Sequence, residues 1–253
     1  MSPRITKRCG MMGSNYQKRI ESCGIEKKLM EKKTCRGLVN VVDECNFGRT
    51  GLATLLRNAL TKNSQSITWE ICEASTLIDL FSKRPPRGVP TQLMQDNLNL
   101  RLIIRLSKNI QSALVTLLLL GGYKNQLAGY DQVLLLTPFS MEVEKRILTC
   151  IDVPSNLYIV NDRNNCLSFI VSSLIQCDNM TGDVYRVNAH DKLYILSQFE
   201  RLALLQTIQG WSIYQQARYR HVSIKTVYAH RHSALTKLRF TGMLALLKSL
   251  TAI

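Results

Sequence analysis

The middle of the chain, residues 37–176, alternates short apolar runs with segments of helical periodicity. Runs rich in Val, Ile and Leu predict strands at 38–42, 67–74, 100–106, 133–137 and 157–160. Apolar residues at helical spacing predict helices at 51–60, 76–83, 111–120, 141–150 and 166–175. Strands that alternate with helices form a parallel sheet covered on both faces. The pattern therefore predicts a doubly wound α/β domain.

Different patterns on either side of this domain set its boundaries. Residues 1–36 show no apolar periodicity and predict a flexible basic extension. Residues 177–192 are polar and include Gly182, which is typical of a linker. No strand pattern follows, so residues 193–253 predict a separate all-α domain.

The net charge of +15 is concentrated at the two ends of the chain. Residues 1–36 hold 10 basic and 3 acidic groups, and residues 190–253 hold 9 basic and 2 acidic groups. The stretch between them holds 14 basic and 13 acidic groups and is nearly neutral. This distribution favours contact of the ends with a polyanion, and the alternative is a generally basic soluble protein.

The reactive residues of the chain are scattered, which disfavours most catalytic functions. The eight cysteines include no C-x-x-C pair and the four histidines form no H-E-x-x-H motif, so we expect reduced thiols and no metal site. No glycine-rich phosphate loop or nucleophile elbow is present, so we expect neither an enzyme nor a bound cofactor.

No segment of the sequence predicts a membrane anchor. The longest apolar run, 113–120, is far shorter than the roughly 20 residues that span a bilayer. The basic N-terminus lacks the apolar stretch of a signal peptide. We therefore expect a cytoplasmic protein with no membrane partner.

Helix start and stop signals are clear in the C-terminal domain. Ser197 and Glu200 form an S-x-x-E capping box that predicts the start of a first helix, and Gly210 is placed to end it. Ser212 and Gln215 repeat the capping pattern for a second helix. The domain therefore begins with two short helices separated by a glycine turn.

A third helix is predicted after the turn at 221–223, and a fourth, apolar one at 243–250. Val227, Ala234 and Leu238 fall on the inward face of the third helix. Five residues share the opposite, exposed face: Lys225, Tyr228, Ala229, His232 and Thr236.

This arrangement resembles the helix-turn-helix domain of LuxR/FixJ (NarL-type) regulators over about 58 residues, 196–253. The opening L-S-Q-F-E at 196–200 is similar to the start of that domain. The run K-T-V-x-x-H at 225–230, followed by K-L at 237–238, is similar to its recognition helix. The resemblance implies a four-helix DNA-binding domain whose third helix enters the major groove.

The resemblance also implies a role for each residue of the third helix. Tyr228, Ala229 and His232 would face the bases of double-stranded DNA. Lys225, Thr226, Lys237 and Arg239 would contact phosphates. For the two lysines the alternative is a plain solvated charge, and for His230 we expect packing and hydrogen bonding. Gln216 and Arg220 depart from the family, which has aliphatic residues at these positions of the second helix, and Arg239 follows the K-L pair where a glycine is usual.

Regulators of this family often carry a receiver domain in front of the DNA-binding domain, and residues 37–176 resemble one. Asp43 and Glu44 are similar to the acidic pair that holds Mg²⁺ in receivers, and Thr137 stands where receivers keep a hydroxyl that senses phosphorylation. Arg105 occupies the position of the phosphoacceptor aspartate, and Asp162 stands where receivers have a lysine. We therefore expect a flavodoxin-like pseudo-receiver that is not phosphorylated, in which an arginine takes the place of the metal. The alternative is that the two acids only belong to a loop.

This architecture is similar to that of auxiliary transcription activators of the RcsA and BglJ type. It implies a nucleoid-associated regulator that forms a homodimer, or a heterodimer with a response regulator, in which the fourth helix meets its counterpart. The competing hypothesis is a ligand-sensing LuxR-type quorum regulator. Such a protein would need an antiparallel sheet and an internal cavity in the N-terminal domain.

Overall fold

The structure is a computed structural model that describes residues 35–63, 67–82, 98–162, 170–172, 184–186 and 194–251. The basic extension up to residue 34 lies outside these residues, as do most of the predicted helix at 166–175 and most of the linker at 177–192.

Secondary structure in the α/β region follows the sequence pattern. Its strands are β1 (Cys35–Val42), β2 (Ile67–Ala74), β3 (Leu98–Arg105), β4 (Gln132–Thr137), β5 (Leu157–Asn161) and β6 (Val184–Arg186). Its helices are α1 (Asn46–Asn63), α2 (Leu77–Ser82), α3 (Ile110–Leu120), α4 (Lys124–Ala128) and α5 (Met141–Cys150).

All six strands belong to one sheet with the order β2-β1-β3-β4-β5-β6. Neighbouring strands from β1 to β5 are parallel, and β6 pairs with β5 in the antiparallel sense. The doubly wound, receiver-like fold is therefore confirmed, and the antiparallel sheet of the competing hypothesis is wrong. Two boundaries differ from the prediction. β1 begins at Cys35, inside the predicted extension, and β6 lies inside the predicted linker.

The sheet separates two apolar layers because successive side chains of a strand point to opposite faces. Leu102 and Ile104 of β3 are fully buried on the face covered by α3 and α5. Ile103 lies on the other face together with Leu56 and Leu60 of α1. Burial of both layers stabilises the sheet and so fixes the positions of its strands. The carboxyl ends of the parallel strands therefore lie in a fixed arrangement at one edge.

Helices alone make up the C-terminal part: α6 (Gln198–Ile208), α7 (Ile213–Tyr219), α8 (Ile224–Lys237) and α9 (Met243–Thr251). Both predicted capping boxes are present, one at Ser197 with Glu200 and one at Ser212 with Gln215. Gly210 adopts a φ of +84°, a conformation that favours glycine and ends α6 as predicted. The all-α second part of the fold is therefore confirmed.

The helical part packs directly on the α/β part. One hydrophobic cluster runs from α3 and α5 into α6, α8 and α9. The Leu196 amide donates a 2.7 Å hydrogen bond to the Cys150 carbonyl. Gly121 at the end of α3 leaves room for Arg201 of α6, since an added Cβ would lie 2.7 Å from its Nη1. Within the described ranges, no helix is long and apolar enough to cross a membrane.

Candidate nucleic-acid interface

The third helix of the C-terminal part, α8, has one buried face and one exposed face. Its N-cap, Ser223, accepts a hydrogen bond from the Thr226 amide, which fixes the start of the helix. Val227, Ala234 and Leu238 are buried, as the helical spacing predicts. The five residues predicted to share the opposite face are all exposed: Lys225, Tyr228, Ala229, His232 and Thr236. The predicted orientation of the helix is therefore confirmed.

An open groove of about 560 Å³ lies along this exposed face. It is lined by Lys225, Tyr228, Ala229, Arg231, His232, Leu235, Thr241, Gly242 and Met243. None of these residues is acidic, and the groove carries the charge of one lysine and one arginine. A surface of this kind attracts a polyanion.

Two contacts order the side chains on this face. The Arg231 guanidinium lies over the Tyr228 ring at 5.0 Å from its centroid, which is within the range of a cation–π contact. The Thr226 hydroxyl lies 2.7 Å from the Ser223 hydroxyl and is half-buried. Among the described residues Lys225 has no ion-pair partner, so its charge is available to a ligand.

Lys237 is used inside the protein. Its ammonium group lies 2.7 Å from Glu200 Oε2 and donates a 3.0 Å hydrogen bond to the Ile195 carbonyl. Burial alone would raise the pKa of Glu200, but hydrogen bonds from Lys237, Ser233 and the Ser197 amide outweigh burial and lower that pKa to about 2. Lys237 therefore ties α8 to α6, and its contact with a phosphate stays a prediction.

Arg239, the other predicted phosphate ligand beyond α8, follows the helix with a φ of +60°. Its guanidinium lies over the Tyr194 ring at 5.6 Å from the centroid. The side chain is exposed, and its contact with DNA stays a prediction.

Gln216 in α7 and Arg220 just after it are polar where the resemblance leads one to expect aliphatic residues, and hydrogen bonds satisfy Gln216 in part. Gln216 is 0% exposed, and its Nε2 donates to the Thr207 hydroxyl at 3.1 Å and to the Trp211 carbonyl at 3.2 Å. The amide therefore ties α7 to α6 and to the turn between them.

Arg220, which follows α7, belongs to a small aromatic cluster. Its Nη2 donates to Nδ1 of His230 at 2.8 Å, and its guanidinium lies 5.5 Å from the centroid of the Phe199 ring. The rings of Phe199 and His230 are stacked with centroids 5.7 Å apart. Burial lowers the pKa of Arg220. His230 thus packs between helices, as expected, and does not belong to the exposed face of α8.

A second polar cluster lies at the carboxyl edge of the sheet. Arg105 at the end of β3 donates to Asp162 Oδ2 from Nε at 3.0 Å and from Nη2 at 2.8 Å. Its Nη1 lies 3.6 Å from Oδ2 of Asp43, which is 4% exposed. Burial alone would lower the pKa of Arg105, but the two carboxylates outweigh it and raise that pKa. Gly48 leaves room for the Asp43 carboxylate, because a Cβ added at this position would lie 2.6 Å from Asp43 Oδ2.

The predicted charge pairing of an arginine with this acidic edge is therefore present, but with a different second partner. Glu44 is exposed, and Asp162 takes the place expected for it. Among the described residues no group of three or more His, Cys, Asp and Glu side chains is placed to hold a metal ion.

Thr137 lies beside this edge and is fully buried. Its hydroxyl donates to Oε1 of Glu144 in α5 and accepts a 3.0 Å hydrogen bond from the Phe139 amide. Burial raises the pKa of Glu144 to about 8, against the opposing effect of the Thr137 hydrogen bond. Glu144 was not anticipated from the sequence, because a glutamate is rarely fully buried.

Comparison with known proteins gives only distant similarity. No protein-family model matches the chain, and no curated protein matches it. RcsB from Salmonella enterica serovar Typhimurium, in a structure bound to promoter rprA, is 16% identical with a TM-score of 0.43, over 85% of this chain and 98% of that one. The response regulator ChrA of a heme-sensing two-component system is 18% identical with a TM-score of 0.32, over 84% and 94%.

Proposed function

We propose that this chain is a DNA-binding regulator of transcription that reads the major groove with α8. The observation that carries the proposal is the exposed face of α8, which holds Lys225 and lines a groove without acidic residues. The major groove of B-DNA is about 12 Å wide and admits one α-helix. On this proposal Tyr228, Ala229 and His232 face bases, and Lys225 and Thr226 contact phosphates.

The charge distribution supports the proposal. Residues 190–253 carry 9 basic and 2 acidic groups, and one of the two acids, Glu200, is buried. The helical part therefore presents a basic surface, and affinity for DNA depends on the release of counterions by such a surface. Lys237 and Arg239 belong to the proposed phosphate contacts only if their present partners release them when DNA binds.

We further infer that the receiver-like part works without phosphorylation. Arg105 stands where a phosphorylatable receiver needs an acceptor carboxylate, and its cation pairs with both Asp43 and Asp162. Incubation with acetyl phosphate and Mg²⁺ should leave the intact mass unchanged. A stoichiometric phosphoryl adduct on any aspartate of residues 35–162 would contradict this part of the proposal.

The fourth helix supports the proposal that the chain assembles on DNA as a dimer. Leu246 and Leu250 of α9 are buried in the protein, whereas Leu244 is 64% exposed on the same helix. One helix can therefore pack on its own core and still offer an apolar side chain to a counterpart. We propose a homodimer, or a heterodimer with a response regulator, that activates transcription at the nucleoid. Pairing makes the second DNA contact intramolecular and raises the affinity.

Selection of DNA sites from a random pool tests the proposal. The purified full chain should enrich duplexes that carry two related half-sites. The half-sites should be separated by one or more whole turns of DNA, as expected for a dimer that binds one face of the duplex. His232→Ala should change the base preferred at one position of each half-site, by about 1–3 kcal/mol for the loss of a base contact. Enrichment of a single half-site would contradict the dimer, and no enrichment at all would contradict DNA reading.

A further inference from the structure

The centre of the exposed face of α8 is occupied by its smallest side chain. Ala229 is exposed and lies one helical turn from Lys225 and one from His232, with Tyr228 beside it. All four residues line the groove, and the short side chain of Ala229 leaves a depression between the longer three. Leu235 and Met243 also line that groove and extend its apolar surface.

The composition of α8 restricts which bases it can recognise. The helix Ile224–Lys237 contains no Asn, Gln, Asp or Glu. Asparagine and glutamine are the usual bidentate partners of adenine, and the acidic residues are the usual acceptors from cytosine. The side chains that α8 does carry include a lysine and an arginine, which pair with guanine, and an alanine, which makes apolar contact with the methyl group of thymine.

We propose that Ala229 makes this helix specific for the 5-methyl group of thymine at the base step it faces. The inference rests on the proposed function and deepens it, since it names one base feature of the DNA site. The methyl group of thymine projects into the major groove, where it would enter the depression between Tyr228, Lys225 and His232. Burial of one methyl group from water is worth about 0.8 kcal/mol, which corresponds to about a fourfold change in affinity.

The test replaces thymine by uracil, which differs only by the loss of the methyl group. A duplex selected from the random pool is prepared with thymine, and then with uracil at one thymine position at a time. For the wild-type chain we expect uracil to weaken binding about fourfold at one position of each half-site and to leave the others nearly unchanged. Placing 5-methylcytosine at that position, in a C·G pair, should restore part of the loss relative to plain cytosine.

Ala229→Ser makes the depression polar with little change in size, and should bring the thymine-to-uracil ratio close to one. Ala128→Ser is the matched control, because Ala128 is also an exposed helical alanine but lies in α4 of the α/β part. The control should keep the fourfold ratio. Circular dichroism of both variants checks that the fold is retained.

The outcomes separate this inference from the proposed function. If thymine and uracil duplexes bind equally at every position while binding remains specific and salt-dependent, the inference is overturned and DNA reading stands. If the ratio persists in Ala229→Ser, another residue reads the methyl group and the inference is again wrong. If the chain selects no DNA at all, both fail.

Discussion

Arg105 of the α/β part and Lys225 of the helical part are placed in opposite ways. At the carboxyl edge of the sheet, Arg105 is held between Asp43 and Asp162. On the exposed face of α8, Lys225 has no ion-pair partner among the described residues. A partly buried cation held by two carboxylates stabilises one conformation, whereas an unpaired one at the surface is free to bind a polyanion. On the proposed function, DNA meets the exposed face of α8, and the carboxyl edge of the sheet is held by its own ion pairs.

Two buried glutamates show the reverse contrast, because here the charged partner lies in the helical part. Glu144 in α5 has only a hydroxyl partner at Oε1, and burial raises its pKa to about 8. Burial would also raise the pKa of Glu200 in α6, but the Lys237 ammonium and two hydroxyl or amide donors lower it to about 2. The first glutamate is therefore protonated in the folded protein at neutral pH, and the second is ionised.

The largest expected effect is the pH dependence of stability caused by Glu144. Its pKa is raised from 4.5 to about 8 in the folded protein. Between these values the folded protein holds a proton that the unfolded chain has released, so the free energy of unfolding falls as the pH rises. The total loss is roughly 3 to 5 kcal/mol, complete above about pH 8. Urea denaturation at several pH values between 5 and 8.5 measures it.

Glu144→Gln keeps the shape of the side chain and removes the titration, so most of the slope should disappear in this variant. Glu142→Gln is the matched control, because Glu142 lies in the same helix with its side chain 85% exposed. An unchanged slope in Glu144→Gln would show that other groups cause the pH dependence.

A smaller loss of stability is expected from Arg105→Ala. This change leaves the buried carboxylate of Asp43 without a cation, and removal of one partner of a partly buried pair should cost about 1–3 kcal/mol. Arg57→Ala is the control, since Arg57 pairs with Glu73 at 2.9 Å on the surface and its loss should cost less than about 1 kcal/mol. Equal losses of stability in the two variants, measured by thermal denaturation, would show that the ion pair at the carboxyl edge contributes no more than a surface pair.

Much of the fold could be predicted from the sequence, because burial imposes a regular period on each element. The bounds of β2 and α5 in the structure are the predicted ones, Ile67–Ala74 and Met141–Cys150. β6 was not predicted, because a strand of three residues is too short to show alternation. The five-residue helix α4 was missed for the same reason.

Residues of the two sites could be predicted only where the geometry of a single helix or strand determines which side chains lie together. The exposed face of α8 follows from helical spacing alone, so its five residues could be named in advance. The partner of Arg105 depends on where two strands end, and Asp162 lies 57 positions further along the chain. The Lys237 side chain points toward Glu200 of another helix, and no local sequence pattern reveals this contact.

Binding of DNA through Lys225 tests the central claim most directly. Affinity for a selected duplex is measured by fluorescence anisotropy between about 50 and 200 mM salt, for the wild type and for Lys225→Ala. Lys62→Ala is the control, because Lys62 is an exposed lysine in the last turn of α1. We predict that Lys225→Ala weakens binding and reduces the slope of log K against log salt by about 0.9, the value for one phosphate that is no longer neutralised, while Lys62→Ala changes neither. Equal affinity and an unchanged slope in Lys225→Ala would contradict the account.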